Sequence, residues 1–115
     1  MLVGPHISAF DFFMLSIAGR GYPMQAISPA NPPASYRFQN SLRTQYGVET
    51  TPASREAVKA AIARLSSGGI LLTGLDRPAP KSDWLEFFGR PAFLPSGFAR
   101  LAIRTNALLL PGMIL

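Results

Sequence analysis

The only histidine of this 115-residue chain, His6, stands five positions before an aspartate, Asp11. A histidine can take a proton from a hydroxyl group near neutral pH, and a carboxylate on its second ring nitrogen stabilises the cation that forms. Five steps along one helix separate two side chains by roughly 140°, so the pair cannot share one helix face. The spacing therefore favours His6 in the turn before a helix, with Asp11 reaching back from the first helical turn.

The chain supplies no obvious nucleophile to accompany this pair. It has no cysteine and no G-x-S-x-G turn that would present a serine. The hydroxyl group deprotonated by His6 would then belong to a substrate, as in direct acyl transfer. The spacing alone also allows a structural explanation, in which His6 is hydrogen-bonded at a strand end and Asp11 completes a helix cap. With one histidine and no cysteine, we expect no metal site.

The composition is basic and apolar. The net charge is +5, and 48% of the residues are hydrophobic while only 15% are charged. Such a balance favours an anionic partner, which could be a phospholipid headgroup, a phosphorylated substrate or nucleic acid. The arginines are scattered and aromatic residues do not alternate with them, so we expect no nucleic-acid partner. A non-catalytic basic module that binds anionic lipid or nucleic acid remains the alternative.

Apolar periodicity and turn residues predict that strands and helices alternate along the chain. The predicted strands are residues 2–5, 22–27, 48–50, 70–75 and 107–115, and the predicted helices are residues 8–18, 37–46, 54–66 and 96–105. Ser8 is the predicted N-cap of the first helix, and residues 84–88 are expected to lead into a Gly-Arg-Pro turn. This order predicts an α/β fold with a largely parallel central sheet flanked by helices.

Five motifs follow one another along nearly the whole chain: HISAFD, LRTQYG, GLDRP, FFGRP and Pro111 in the last predicted strand. In this order they resemble the lysophospholipid acyltransferase superfamily. The resemblance is greatest to the bacterial branch of lipid A biosynthesis (lauroyl/myristoyl) acyltransferases and phosphatidylinositol mannoside acyltransferases. The chain departs from that branch at Arg77, where glutamine is common, and within the H-x4-D motif, which reads Ile-Ser-Ala-Phe.

The resemblance implies a role for each matching residue. His6 would be the general base and Asp11 the carboxylate that orients it. Asp76 would support His6 or a substrate hydroxyl, unless it is simply solvated, and Glu86 could compete for that role. The substrate-binding residues would be Arg43 on an anionic group, Asp76, and the FFGRP residues Phe88, Gly89 and Arg90. The exposed or buried state of the aromatic residues decides between core packing and contact with an acyl chain or a membrane; these are Phe12, Phe13, Trp84, Phe87 and Phe88.

The resemblance also implies an O-acyltransferase. It would move a fatty acyl group from acyl-CoA or acyl-ACP, with no bound cofactor, to a hydroxyl group of a membrane lipid or glycolipid. Its expected location is the cytoplasmic face of the bacterial inner membrane. Residues 1–115 would be a fragment of the acyltransferase domain that lacks an N-terminal membrane segment and a C-terminal part, so the sheet would be incomplete.

Overall fold

Strands and helices alternate in the structure much as the apolar periodicity predicts. The structure, a computed structural model, describes residues 1–7, 9–77, 79 and 81–113. Its helices are α1 (Phe10–Ala18), α2 (Ala34–Gln45), α3 (Arg55–Ser66) and α4 (Gly97–Thr105). Its strands are β1 (Leu2–Gly4), β2 (Met24–Ser28), β3 (Val48–Pro52), β4 (Ile70–Gly74), β5 (Ser82–Phe87), β6 (Arg90–Pro95) and β7 (Leu110–Pro111).

Five strands form one sheet in the order β3-β2-β4-β1-β7, and every neighbouring pair is parallel. The predicted α/β fold with a parallel sheet is therefore confirmed. The continuous apolar run of β4 fits its central position, because a strand covered on both faces buries successive side chains. The apolar run of residues 107–115 predicts another buried strand, but β7 lies at the sheet edge and Leu110 is 54% exposed.

Helices cover both faces of the sheet. On one face, Met14 and Ala18 of α1 pack into a cluster with Leu2 and Leu72. On the other face, α3 and α4 pack against a second cluster that contains Val3 and Leu71. Successive residues of a strand point to opposite faces, so Leu2–Val3 and Leu71–Leu72 each serve both clusters. Among the described ranges, no helix combines the length and the apolar character needed to cross a membrane.

The helix predicted over residues 54–66 is confirmed, with Ser54 as its N-cap. The Ser54 hydroxyl accepts a hydrogen bond from the backbone N–H of Ala57 at 3.0 Å. An N-cap oxygen satisfies one of the backbone donors that the first helical turn leaves without a partner. Ser54→Ala is therefore expected to lower the free energy of unfolding by about 1 kcal/mol. Urea denaturation of both proteins measures this, and Ser66→Ala, at the exposed last residue of α3, is the control.

Two helix starts are different from the predictions. Helix α2 begins at Ala34, three residues before the predicted start, because Pro33 occupies the N-cap, where its missing N–H costs no helical hydrogen bond. Helix α1 begins at Phe10, and Ala9 takes the N-cap position. The predicted cap Ser8 lies outside the described residues.

The FFG motif forms a hairpin turn that the sequence did not predict as such. Strands β5 and β6 pair antiparallel as a separate two-stranded sheet. Between them, Phe88 and Gly89 have φ values of 51° and 73°. Two successive residues with positive φ make the tight turn that matches the twist of a hairpin, and glycine adopts this conformation without steric cost.

Candidate active site

The site lies where two neighbouring parallel strands end. Strand β1 ends at Gly4 and β4 ends at Gly74, and these two glycines are register partners. The backbone N–H of Leu75 still donates to the carbonyl of Gly4, so the two chains leave the sheet side by side. His6 and Asp76 each follow two residues beyond the paired glycines. Ligand sites of open α/β sheets lie at this carboxyl edge of the strands.

His6 and Asp76 form a close hydrogen-bonded pair. Nδ1 of His6 lies 2.6 Å from Oδ1 of Asp76, and the backbone N–H of His6 donates to the same oxygen at 3.1 Å. Burial raises the pKa of Asp76, but the hydrogen bonds from the side chain and backbone of His6 outweigh it and hold that pKa below its usual value. Asp76 is thus a carboxylate near neutral pH and can only accept, so Nδ1 carries the proton. Nε2 is then the basic nitrogen of the ring.

The absence of a side chain at Gly74 makes room for this arrangement. A Cβ atom at that position would lie 2.6 Å from Nδ1 of His6 and 2.8 Å from Nε2, with Cε1 closer still. The imidazole would have to move away from Asp76, because real Cβ atoms do not approach ring atoms so closely.

We therefore expect Gly74→Ala to reduce acyl-transfer activity by about 10²-fold, since a displacement of roughly 1 Å can cost that much. Initial rates with a saturating acyl thioester measure the effect. Gly97→Ala is the matched control, because a Cβ there meets no atom within 4 Å. Equal activities of Gly74→Ala and Gly97→Ala would show that acyl transfer does not depend on the contact between His6 and Gly74.

Asp11, which the resemblance assigns to His6, bonds elsewhere in the structure. Its Oδ1 accepts from Nε and Nη2 of Arg43 at 2.9 and 2.6 Å, and its Oδ2 accepts from Gln39 at 3.3 Å. The expectation that the carboxylate of Asp11 contacts His6 is therefore corrected, and Asp76 takes that place. The reason is geometric: Asp11, in the first turn of α1, meets α2, while Asp76 comes to His6 from the adjacent strand.

His6 and Arg43 nevertheless share one cleft. A cavity of about 230 Å³ is lined by residues from α1, α2 and the turns after β1 and β4: His6, Ile7, Phe10, Asp11, Tyr36, Gln39, Arg43 and Arg77. The Arg43 side chain is only 13% exposed, and its Nη1 also donates to Asn40 at 3.0 Å. A second cavity of about 350 Å³ shares five of these residues: His6, Phe10, Tyr36, Arg43 and Arg77. The predicted residues His6, Asp11 and Arg43 are thus brought together, with Asp76 behind His6.

The sequence interpretation missed two residues of this cleft, Tyr36 and Arg77. Nη1 of Arg77 donates to the hydroxyl of Tyr36 at 2.8 Å, which links the β4 turn to α2. Arg77 directly follows Asp76, and this position after a buried strand is a signal from which the sequence could have identified it as a residue of the cleft. Tyr36 carries no comparable signal, because only the packing of α2 brings it to the cleft.

An apolar groove of about 590 Å³ runs between α1 and α2 and shares residues with the cleft. Its walls come from the facing sides of the two helices: Asp11, Phe12, Leu15, Ser16, Gln39, Leu42, Arg43 and Tyr46. Phe12 is 75% exposed here, which excludes core packing for this residue. Phe13, by contrast, is partly buried and packs against the core cluster that contains Met14 and Leu72. The groove places an apolar surface next to the Asp11–Arg43 pair.

The FFGRP residues lie apart from His6. Phe88, Gly89 and Arg90 occupy the tip of the β5–β6 hairpin, and the described lining of the His6 cleft contains none of them. Glu86, on the same hairpin, is not beside His6 either. Their predicted substrate-binding roles therefore have no support from the geometry of this cleft. In the described ranges, no three acidic or histidine side chains are grouped to hold a metal ion.

The comparison with protein families agrees with the motif order. Residues 1–115 match the family model described as bacterial lipid A biosynthesis acyltransferase. No curated protein matches the chain.

Proposed function

Because the chain belongs to the bacterial lipid A biosynthesis acyltransferase family, which transfers acyl groups to lipid, we propose that it forms an ester from an acyl thioester and a hydroxyl group of a membrane lipid or glycolipid. One observation carries the proposal: the hydrogen bond between His6 and Asp76 at the carboxyl edge of the parallel sheet. It gives the cleft a base whose proton-accepting nitrogen is held in one orientation. The proposed donors, acyl-CoA and acyl-ACP, would place the reaction at the cytoplasmic face of the inner membrane.

In the proposed reaction, the acceptor hydroxyl hydrogen-bonds to Nε2 of His6. Nε2 takes the proton while the acceptor oxygen attacks the thioester carbonyl carbon, and a tetrahedral oxyanion forms. The carbon–sulfur bond then breaks, and the departing thiolate recovers the proton from the imidazolium. Asp76 stabilises the imidazolium while it exists and keeps Nδ1 protonated throughout. The acyl group ends on the acceptor oxygen, and the protein is unchanged.

The start of α1 supports the oxyanion. The backbone N–H groups in the first turn of a helix have no partners within that helix, and they carry the positive end of its dipole. Helix α1 begins at Phe10, four residues after His6. The N–H of Phe10 itself donates to the carbonyl of Ile7 at 3.0 Å, so the donors to the oxyanion would be those of the residues that follow it in the first turn. General base catalysis supplies about 10²–10⁴ in rate. Oxyanion stabilisation and positioning of the two substrates would supply the remainder.

Arg77 is the better placed of two arginines to bind an anionic substrate group. The charge of Arg43 is compensated by Asp11, whereas the bond from Arg77 goes to the neutral hydroxyl of Tyr36. A guanidinium group suits phosphate, because it can donate two parallel hydrogen bonds. We assign the phosphate of the headgroup or of the thioester donor to Arg77, with Arg43 holding the cleft wall in place. The groove between α1 and α2 offers an apolar surface of the kind an acyl chain requires.

The direct test is transfer of an acyl group from acyl-CoA and, separately, from acyl-ACP to a glycolipid acceptor dispersed in detergent. Mass spectrometry of the product is expected to show the mass of one added acyl chain. Mild alkaline hydrolysis distinguishes an ester, which it cleaves, from an amide, which it leaves intact. Transfer from neither donor, or an amide product, would contradict the proposal.

A further inference from the structure

We propose that the β5–β6 hairpin inserts its tip, residues 87–90, into the surface of a bilayer that contains anionic phospholipid. This goes beyond the proposed function, which requires only that a lipid substrate reaches His6, and it rests on that function for the presence of a membrane. The hairpin forms its own two-stranded sheet, separate from the five-stranded one.

Large apolar side chains are exposed on both faces of the outer hairpin. On one face, Trp84 pairs with Phe93 across the strands, with ring centroids 5.4 Å apart, yet Trp84 is 71% exposed. On the other face, Leu85 pairs with Ala92 and is 46% exposed. When a sheet packs on a protein core with one face, that face is apolar and the face in contact with water is polar. Large apolar side chains that stay exposed on both faces of a hairpin indicate an apolar medium around it.

The turn itself presents an aromatic residue at a steric cost. Phe88 has a φ of 51°, a conformation that is unfavourable for a bulky side chain, and it is 91% exposed. Phe87 lies against it edge-on, with centroids 4.6 Å apart. Within the described residues, Phe88 gains no burial in return for this conformation. Insertion of both rings among acyl chains and headgroups would supply that burial.

The charges beside the turn fit a membrane surface and not the interior of a protein. Arg90 is the cross-strand partner of Phe87 and is exposed, so its guanidinium lies at the level of the aromatic tip. Glu86 is the one acidic residue near the tip, and the chain as a whole carries +5. Basic residues next to inserted aromatic residues bind the phosphates of anionic lipid.

The base of the hairpin is fixed, so insertion of the tip would orient the whole domain. Asp83 accepts hydrogen bonds from the Ser96 hydroxyl and, at 2.8 Å, from Nη2 of Arg100 on α4. These bonds connect the inner end of the hairpin to a helix that packs on the sheet. Insertion of the tip would therefore set the orientation of the five-stranded sheet relative to the membrane.

Trp84 makes the hairpin its own reporter, because it is the only tryptophan of the chain. Adding vesicles of phosphatidylethanolamine and phosphatidylglycerol is expected to shift its emission to the blue and to protect it from acrylamide. Lipids brominated near the headgroup are expected to quench it. Phosphatidylcholine vesicles, which are neutral, are expected to give a smaller change, and added salt is expected to weaken binding to the anionic vesicles.

Phe88→Ser is expected to weaken vesicle binding about tenfold or more, as measured by co-sedimentation. The matched control is Ile103→Ser on α4, which removes an 82% exposed apolar side chain outside the hairpin and is expected to leave binding unchanged. Besides the absence of a lipid-induced change at Trp84, two results would overturn the proposal. One is protection of Trp84 from acrylamide before any lipid is added, which would mean that another protein segment covers the hairpin. The other is equal vesicle affinity of wild type and Phe88→Ser.

These measurements need no acyl donor, so their outcome is separate from that of the proposed function. His6→Ala is expected to bind vesicles like the wild type while it loses acyl transfer. A protein that transfers acyl groups to detergent-dispersed acceptor but shows no lipid-induced change at Trp84 would keep the proposed function and reject the hairpin.

Discussion

His6→Ala is expected to lower the rate of acyl transfer by about 10²–10⁴-fold, the range that general base catalysis supplies. The variant removes the proton acceptor at the carboxyl edge of the sheet and leaves the rest of the cleft in place. Steady-state kinetics with a saturating acyl thioester measures the loss. It should fall on kcat more than on KM, because Nε2 acts on the hydroxyl proton in the transition state and contributes little to substrate binding.

A loss of folding could imitate this result, so the variant needs a structural control. The His6 side chain is 29% exposed and Asp76 is 39% exposed, so water can solvate the carboxylate when the ring is absent. We therefore expect the circular dichroism spectrum and the thermal midpoint of His6→Ala to stay close to those of the wild type. A well-folded His6→Ala protein with near-normal turnover would remove His6 from the mechanism.

The second large effect is expected for Asp76→Asn, which should reduce kcat by about 10²-fold or more. An amide can donate to Nδ1, and the ring then carries its proton on Nε2, where the acceptor hydroxyl must be deprotonated. The neutral amide also removes the charge that stabilises the imidazolium. The same initial-rate assay measures the loss.

The informative comparison is with Asp11→Asn, because the family resemblance assigns the orienting role to Asp11 and the structure places Asp76 on the ring. Asp11→Asn weakens a bond to Arg43, so we expect a smaller loss, about tenfold, together with a lower thermal midpoint. A second readout separates the roles: the proton NMR signal of the hydrogen-bonded Nδ1–H should vanish in Asp76→Asn and persist in Asp11→Asn. The reverse pattern would restore Asp11 as the partner of His6.

The hydrogen bond between Asp76 and His6 depends on pH, because it requires the ionised carboxylate of Asp76. Because the pKa of Asp76 is depressed in the folded protein, its stabilising bond is fully present above the pKa of an unfolded aspartate. The bond is lost as the pH falls through the still lower folded value. At neutral pH the carboxylate is therefore present throughout the proposed reaction.

Local features of the fold could be predicted because each depends on residues close together in the chain. The periodicity of residues 54–66 specifies α3, and the run ILLTGL identifies a strand buried on both faces. The hairpin was missed because its strands lack a clean alternation of apolar and polar residues. Its apolar side chains lie on both faces, and only the pairing of Trp84 with Phe93 reveals the register.

By itself, the sequence determined the α/β order, the presence of one histidine available as a base, and the motifs that identify the family. Only the tertiary structure decided which carboxylate meets that histidine. His6 and Asp76 are 70 residues apart, and no local spacing connects them. They meet because β4 lies next to β1 with Gly4 opposite Gly74, and because helix α2 brings Arg43 to Asp11 and so occupies the nearer carboxylate. Strand order and helix packing are long-range outcomes of burying the sheet, so the closer residue in sequence was not the closer one in space.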